Sequence, residues 1–223
     1  IMGDVDRVVC KIQGFDAETQ NLLKTALKEP AVVDLEKVAN VIVEQSLRDA
    51  TFSREAGKMC YTIIQAESKK TGRSIFRSAL LNRLQSEYLN RDEMRARSVQ
   101  EWVCYVTFIC NVFDYLRVNN MPMLALVNPV YDCLFQLTEP ESLRREEEVD
   151  CLVLQLHRVG EQLETMNGQR MDELFSVLRD RFLLQGDLSS LAQLLLLEMI
   201  EYRAAGWKMT DAAHKYYYSE VSE

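Results

Sequence analysis

Two histidines, His157 and His214, are the whole imidazole supply of this 223-residue chain, and neither has a cysteine or a second histidine nearby. The six cysteines, Cys10, Cys60, Cys104, Cys110, Cys133 and Cys151, include no C-x-x-C pair. Structural zinc sites draw their ligands from tight local pairs, so this pattern excludes the common zinc modules. A serine or cysteine nucleophile needs a base held by an orienting partner. His157 follows Leu156 on the flank of an amphipathic stretch and His214 sits in a polar tail, so neither is expected to serve as one. Glycine is as scarce: eight residues are scattered without a G-x-x-x-x-G-K or G-x-G-x-x-G loop, which removes phosphate-cradling enzymes. With only four prolines as well, collagen-like, linker-rich and disordered chains are excluded.

Long apolar runs are also missing. Leu194 to Leu197 is far short of the ~20 residues that cross a bilayer. The N-terminal residues Asp4, Asp6 and Arg7 leave no signal core, and Arg7 stands where a myristoylation start at Met2-Gly3 expects Ser or Thr. The expectation is a soluble protein with no membrane contact, placed in the cytoplasm and nucleus. There the cysteines stay reduced and behave as small buried hydrophobes. Positive charge is in deficit, 26 Lys+Arg against 34 Asp+Glu, which argues against a general polyanion binder.

What the chain has in quantity is helical periodicity. Leu22, Leu23, Ala26 and Leu27 form a short stripe, and Asp34 caps a longer one through Leu35, Val38, Ala39, Ile42 and Val43. Ser53 is expected to cap the next helix, whose stripe is Ala56, Met59, Cys60, Ile63 and Ile64. After Thr71-Gly72 a further helix carries Phe76, Ala79, Leu80, Leu84 and Tyr88. Between Val99 and Leu116 the apolar residues cover more than one stripe, which predicts a helix packed on several sides.

Asn119-Asn120-Met121-Pro122 ends that helix, and Asn128-Pro129 reads as a cap plus first-turn proline opening the next. All four prolines are thus expected at helix boundaries. Val149, Leu152, Val153, Leu156, Val159 and Leu163 form a stripe ended by Asn167-Gly168, and Met171, Leu174, Phe175, Leu178 and Phe182 form another. The leucine-dense stretch Leu188 to Tyr202 predicts a helix buried on two sides. The fold class is all-α, an α-solenoid of antiparallel helix pairs of the HEAT type forming one crescent-shaped domain over 1–223. Its core spans about 15–208, with loose ends at roughly 1–14 and 209–223.

Three surface features invite a functional reading. Between Glu67 and Arg97, eight basic residues (Lys69, Lys70, Arg73, Arg77, Arg83, Arg91, Arg95 and Arg97) face four acidic ones, a local net of +4. Arg73, Arg77, Arg91, Arg95 and Arg97 are candidate contacts for a partner. The surface reads as a solvated face, a dock for an acidic peptide, or a contact with RNA backbone. Trp207 with Tyr216, Tyr217 and Tyr218 is the second: adjacent tyrosines cannot all bury on one helix face, and the stretch reads as a tail folded back on the last helix pair or, since Tyr and Trp are enriched at interface hot spots, as a partner or self-association contact. The carboxylates Glu146-Glu147-Glu148 and Asp172-Glu173 are the third: Arg144 to Asp150 precedes an apolar helix whose dipole acidic residues in the first turn complement, and a metal or catalytic site or a dock for a basic partner are the other readings. No residue is assigned to catalysis, to a metal or to a cofactor.

Val41-Ile42-Val43-Glu44-Gln45-Ser46-Leu47, then Asp49 to Phe52, Ala56 and Met59-Cys60, are similar to the second and third helices of the MIF4G family. That family takes its name from the middle domain of the large translation-initiation scaffold. Val159-Gly160-Glu161-Gln162-Leu163 followed by Arg170 to Phe175 resembles the family's late helices, and Leu194 to Trp207 its final repeat. The resemblance spans roughly residues 15 to 208. It implies a docking platform without catalytic activity or cofactor. For a chain of single-domain length it implies bridging. One surface would take a short motif of the stem-loop-binding protein on the 3′ end of replication-dependent histone mRNA. Another would contact translation initiation factors or a DEAD-box RNA helicase, with direct RNA binding or helicase regulation as alternatives. A homodimer is a further contact it suggests.

Overall fold

The structure is a computed structural model describing residues 12–218; Cys10, the Met2-Gly3 start and the last residues of the tail lie outside the described residues. The described chain is all-α, with thirteen α-helices and one two-stranded hairpin. Contacts divide it into two compact units, Ile1–Met121 and Pro122–Glu223. No helix among the described residues is long and apolar enough to cross a membrane.

The first unit contains α1 (Ala17–Lys28), α2 (Leu35–Arg48), α3 (Ala50–Ser53), α4 (Ala56–Thr71), α5 (Ile75–Leu89), α6 (Arg91–Arg97) and α7 (Val99–Tyr115). Short polar side chains start most of these helices by accepting bonds from otherwise unpaired first-turn amides. Asp16, Asp34, Asp49, Ser74 and Ser98 all do so. Each such cap stabilises by ~1 kcal/mol. Ser53 does not join them. Its amide already donates to the carbonyl of Asp49 inside α3, so its hydroxyl turns back to Ala50 at 2.9 Å, and α4 opens at Ala56 without a side-chain cap.

Helix α7 is the centre of this unit. Trp102 and every residue from Cys104 to Phe113 are buried, and α2, α3, α4 and α6 all pack on it. Close approach to α4 depends on Gly57, whose amide donates to Asn111 Oδ1 at 2.6 Å. A methyl group there would lie 2.5 Å from the Asn111 carbonyl oxygen. The chain leaves α7 through a hairpin, β1 (Arg117–Val118) and β2 (Met121–Pro122). Its two turn residues, Asn119 and Asn120, both have positive φ, the signature of a type I′ turn.

The second unit contains α8 (Leu124–Leu137), α9 (Pro140–Leu143), α10 (Glu146–Met166), α11 (Gly168–Leu184), α12 (Ser190–Ala204) and α13 (Asp211–Tyr218). Here α10 is central, touching α8, α9, α11 and α12. Pro129 lies inside α8 rather than at its start. Leu126, Val127, Val130, Tyr131 and Leu134 continue one buried stripe across it. At ~1.5–3 kcal/mol for each fully buried side chain, that stripe outweighs the ~3 kcal/mol cost of an interior proline. Asn167 is shared: it ends α10, and its side chain accepts from Arg170 N to start α11, so Gly168 is a first helical residue rather than a left-handed terminator.

Two further expectations are corrected in this unit. Helix α12 is buried on one side only: Ala192, Leu196, Glu198 and Met199 face inward, while Leu191 and Leu194 are exposed. Within the tail expected to be loose, residues 211–218 form α13, which Thr210 caps and which packs on α12 and buries Tyr217.

The Gly57–Asn111 contact generates a prediction. Gly57→Ala adds a methyl where backbone stands in the way, and overpacking of this kind costs ~1–3 kcal/mol. Urea denaturation followed by circular dichroism should show that loss, with Gly72→Ala as a control of different origin, its strain being backbone φ alone.

Candidate functional site

The basic segment resolves into paired and unpaired halves. Arg83 donates to Glu87 at 3.1 Å and lies 4.0 Å from Glu44. Arg97 binds Glu101 at 2.7 Å, and that pairing holds its guanidinium firmly charged. Arg91 lies over the Tyr88 ring and donates to the Tyr88 carbonyl, and Arg95 is also engaged. Lys69, Lys70 and Arg73 are exposed and Arg77 half-buried, and their side chains form no ion pair among the described residues. Arg91, Arg95 and Arg97 therefore serve helix packing and surface pairing, and only the earlier cations are left available. Glu67, counted in that segment by charge, is buried and accepts from Ser74 Oγ and the amides of Ile75 and Phe76, holding the start of α5.

The aromatic residues near the C-terminus are mostly structural. Helix α12 closes in a Schellman turn: Gly206 N donates to the carbonyl of Arg203 and Trp207 N to that of Tyr202. Both Gly206 and Trp207 have positive φ, and the turn folds the indole inward, where it meets Tyr202 and Phe175 edge to face. Trp207 Nε1 donates to Glu164 Oε2, while Arg203 binds both Glu164 and Asp172 and lies over the Phe175 ring. Trp207 and Tyr217 are buried, whereas Tyr216 and Tyr218 remain exposed. Burial, reinforced by the Glu201 carboxylate, pushes the Tyr217 phenol up. Between α11 and α12 this arrangement leaves a groove of about 590 Å³ lined by Phe175, Ser176, Arg179, Ile200, Arg203 and Ala204 with Glu164 and Asp172.

The residues nearest to chemistry are committed elsewhere. His157 Nε2 lies 3.0 Å from Glu198, a buried carboxylate that also accepts from Tyr218, and its ring rests on Tyr202 at 4.4 Å. Burial raises the Cys60 and Cys104 thiols, which keeps them in the unreactive protonated form. No group of three or more His, Cys, Asp or Glu among the described residues is placed to hold a metal ion. Glu146, Glu147 and Glu148 occupy the first turn of α10, as dipole complementarity expects.

Four exposed leucines were not anticipated. Leu183 and Leu184 at the end of α11 are 66% and 81% exposed, and Leu191 and Leu194 on α12 are 45% and 38% exposed. Leu191 also borders a narrow crevice with Leu143, Val149, Leu195, Glu146 and Asp150. Burial, with repulsion from Glu146 and Glu147, raises the Asp150 carboxyl. Five leucines within one helix signalled this surface in the sequence, but the same density equally describes a helix buried on two sides.

The Trp207 seat is directly testable. A methyl at Gly160 would lie 2.2 Å from the indole. Gly160→Ala is expected to displace Trp207, shift its fluorescence to the red and lower stability by ~1–3 kcal/mol, measured by emission spectra and thermal melting.

The MIF4G domain pattern matches residues 5–205 of the chain. A MIF4G domain-containing protein of Xenopus tropicalis is 84% identical over 213 residues, covering 96% of each chain. The human protein of that description is 76% identical over 222 residues and all of both chains, and a Danio rerio relative is 69% identical over 213 residues. Fold, helix pattern and these likenesses agree that the chain belongs to the MIF4G family, related to the middle domain of a translation initiation factor and built as a helical protein-interaction fold.

Proposed function

We propose that the protein is a non-enzymatic adaptor in translation initiation. It bridges the stem-loop-binding protein on the 3′ end of replication-dependent histone mRNA to the initiation machinery or to a DEAD-box RNA helicase. The observation that carries this reading is the exposure of Leu191 and Leu194 on α12, with Leu183 and Leu184 exposed at the end of α11. Large apolar side chains left in water on a folded domain are where another chain can exclude that water. A short segment laying apolar side chains over Leu191 and Leu194 is the occupant this surface suits.

The buried, protonated thiols and the engaged His157 support a role without chemistry of its own. A scaffold needs none: holding two partners raises the effective concentration of each for the other. The same reading puts the protein in both cytoplasm and nucleus and includes pairing of two copies. Direct RNA binding has less support, since the basic segment leaves four clustered cations without an ion pair among the described residues, short of the roughly six to ten phosphate contacts of a committed binder.

Titration of labelled stem-loop-binding-protein fragments should give a dissociation constant of about micromolar or tighter. The paired substitution Leu191→Asp and Leu194→Asp should weaken it by about tenfold or more with the circular dichroism spectrum unchanged. Absence of binding by every fragment would remove the proposal.

A further inference from the structure

We propose that the α4–α5 corner is a docking site for an acidic peptide segment carrying an apolar anchor. The corner comprises Lys69 and Lys70 in the last turn of α4, Arg73 in the connecting turn, and Ile75 and Arg77 in the first turn of α5. This goes beyond the adaptor reading by naming a surface in the other unit and the chemistry of what it takes.

Several arginines elsewhere in the chain find carboxylates, Arg83 with Glu87, Arg97 with Glu101, Arg144 with Asp187, Arg170 with Asp132 and Arg203 with Glu164, while Arg48, Arg54 and Arg158 form no ion pair among the described residues but are not clustered in sequence. In a protein of net charge -8, four neighbouring cations with no ion pair among the described residues stand out. Two of them also sit where folding gains nothing from them. The N-terminus of a helix carries partial positive charge, so Arg77 in the first turn of α5 and Arg73 just before it oppose the dipole. That first turn contains no acidic residue to offset them. Glu67 serves the α5 amides from the buried side and forms no ion pair with these cations.

Ile75 decides the class of partner. It is 57% exposed between Arg73 and Arg77, a large apolar side chain inside a basic patch. An acidic peptide with a leucine or phenylalanine matches both features, the carboxylates meeting the guanidinium groups and the apolar side chain covering Ile75. A phosphodiester backbone matches only the charge.

The test uses the full chain and three fluorescein-labelled probes read by anisotropy. They are a short Asp/Glu-rich peptide with a central Leu-Phe, the same peptide with Ala-Ala in that place, and an oligouridylate of equal charge. The Leu-Phe peptide should bind, and the Ala-Ala peptide should bind about fivefold more weakly or worse. Arg73→Glu with Arg77→Glu should weaken the Leu-Phe peptide by about tenfold or more. Lys69→Ala with Lys70→Ala, at exposed positions, should weaken it severalfold without changing the melting curve, and this variant decides the matter if the arginine pair fails to fold. The proposal is overturned if the Leu-Phe peptide does not bind, if it ignores these substitutions, or if the oligouridylate binds as tightly. None of those results touches the leucine surface on α11 and α12, so the adaptor reading stands or falls separately.

Discussion

Helix α7 has almost no side left for water, and the first unit is arranged around that fact. A helix apolar most of the way round must be enclosed, so α2, α3, α4 and α6 are drawn to it from different directions. Enclosure at that density leaves no room for error where backbones approach. At Gly57 the absence of a side chain lets α4 come close enough for its amide to reach Asn111. Burial supplies the driving force and one missing methyl sets the distance, so general hydrophobicity and local shape act together.

In the second unit the same logic runs through α10, with arginine as the locking element. Arg170, from α11, reaches the Asn128 and Asp132 side chains on α8 and lies over the Tyr131 and Phe135 rings. Arg203 does comparable work between α12 and the carboxylates of Glu164 and Asp172, with Trp207 sharing Glu164. A planar guanidinium suits both tasks because it bonds in its plane and stacks on its face. These clamps absorb charge that in the sequence looks available, and they convert apparent surface features into internal supports.

Surfaces left over after this pairing are those that function can use. In the first unit they are the cations and isoleucine of the α4–α5 corner, and in the second the leucines of α11 and α12. Both carry groups that the isolated fold gains little by displaying, an unpaired basic cluster and apolar area in water. A protein-interaction fold of the MIF4G family is defined by such unspent surface. The described cysteines, by contrast, are buried, His157 is held by Glu198, and Glu67, Glu164 and Asp172 are held by helix amides or by arginine.

Much of the fold was legible from residue spacing, because burial of one stripe per helix imposes a three-to-four-residue rhythm that no tertiary detail can hide. The stripes from Ala56 to Ile64 and from Val149 to Leu163 are buried residue for residue, and Asp34 caps where its position requires. Spacing failed where two local signals gave the same pattern. Asn128-Pro129 looks like a helix start until packing carries the stripe through the proline, and Ser53 looks like a cap until Asp49 starts a short helix before it. The candidate site was less legible still. Charge along the chain marked residues 67–97 as basic, yet which arginines stay free depends on carboxylates brought near by folding, as Glu44 is to Arg83. Leucine density could not say which side of α12 faces outward, nor tyrosine order which ring would bury. Composition and periodicity are properties of the chain, and they settled that it is helical and has little equipment for catalysis. Exposure and pairing are properties of neighbours distant in sequence, and those only the folded structure could assign.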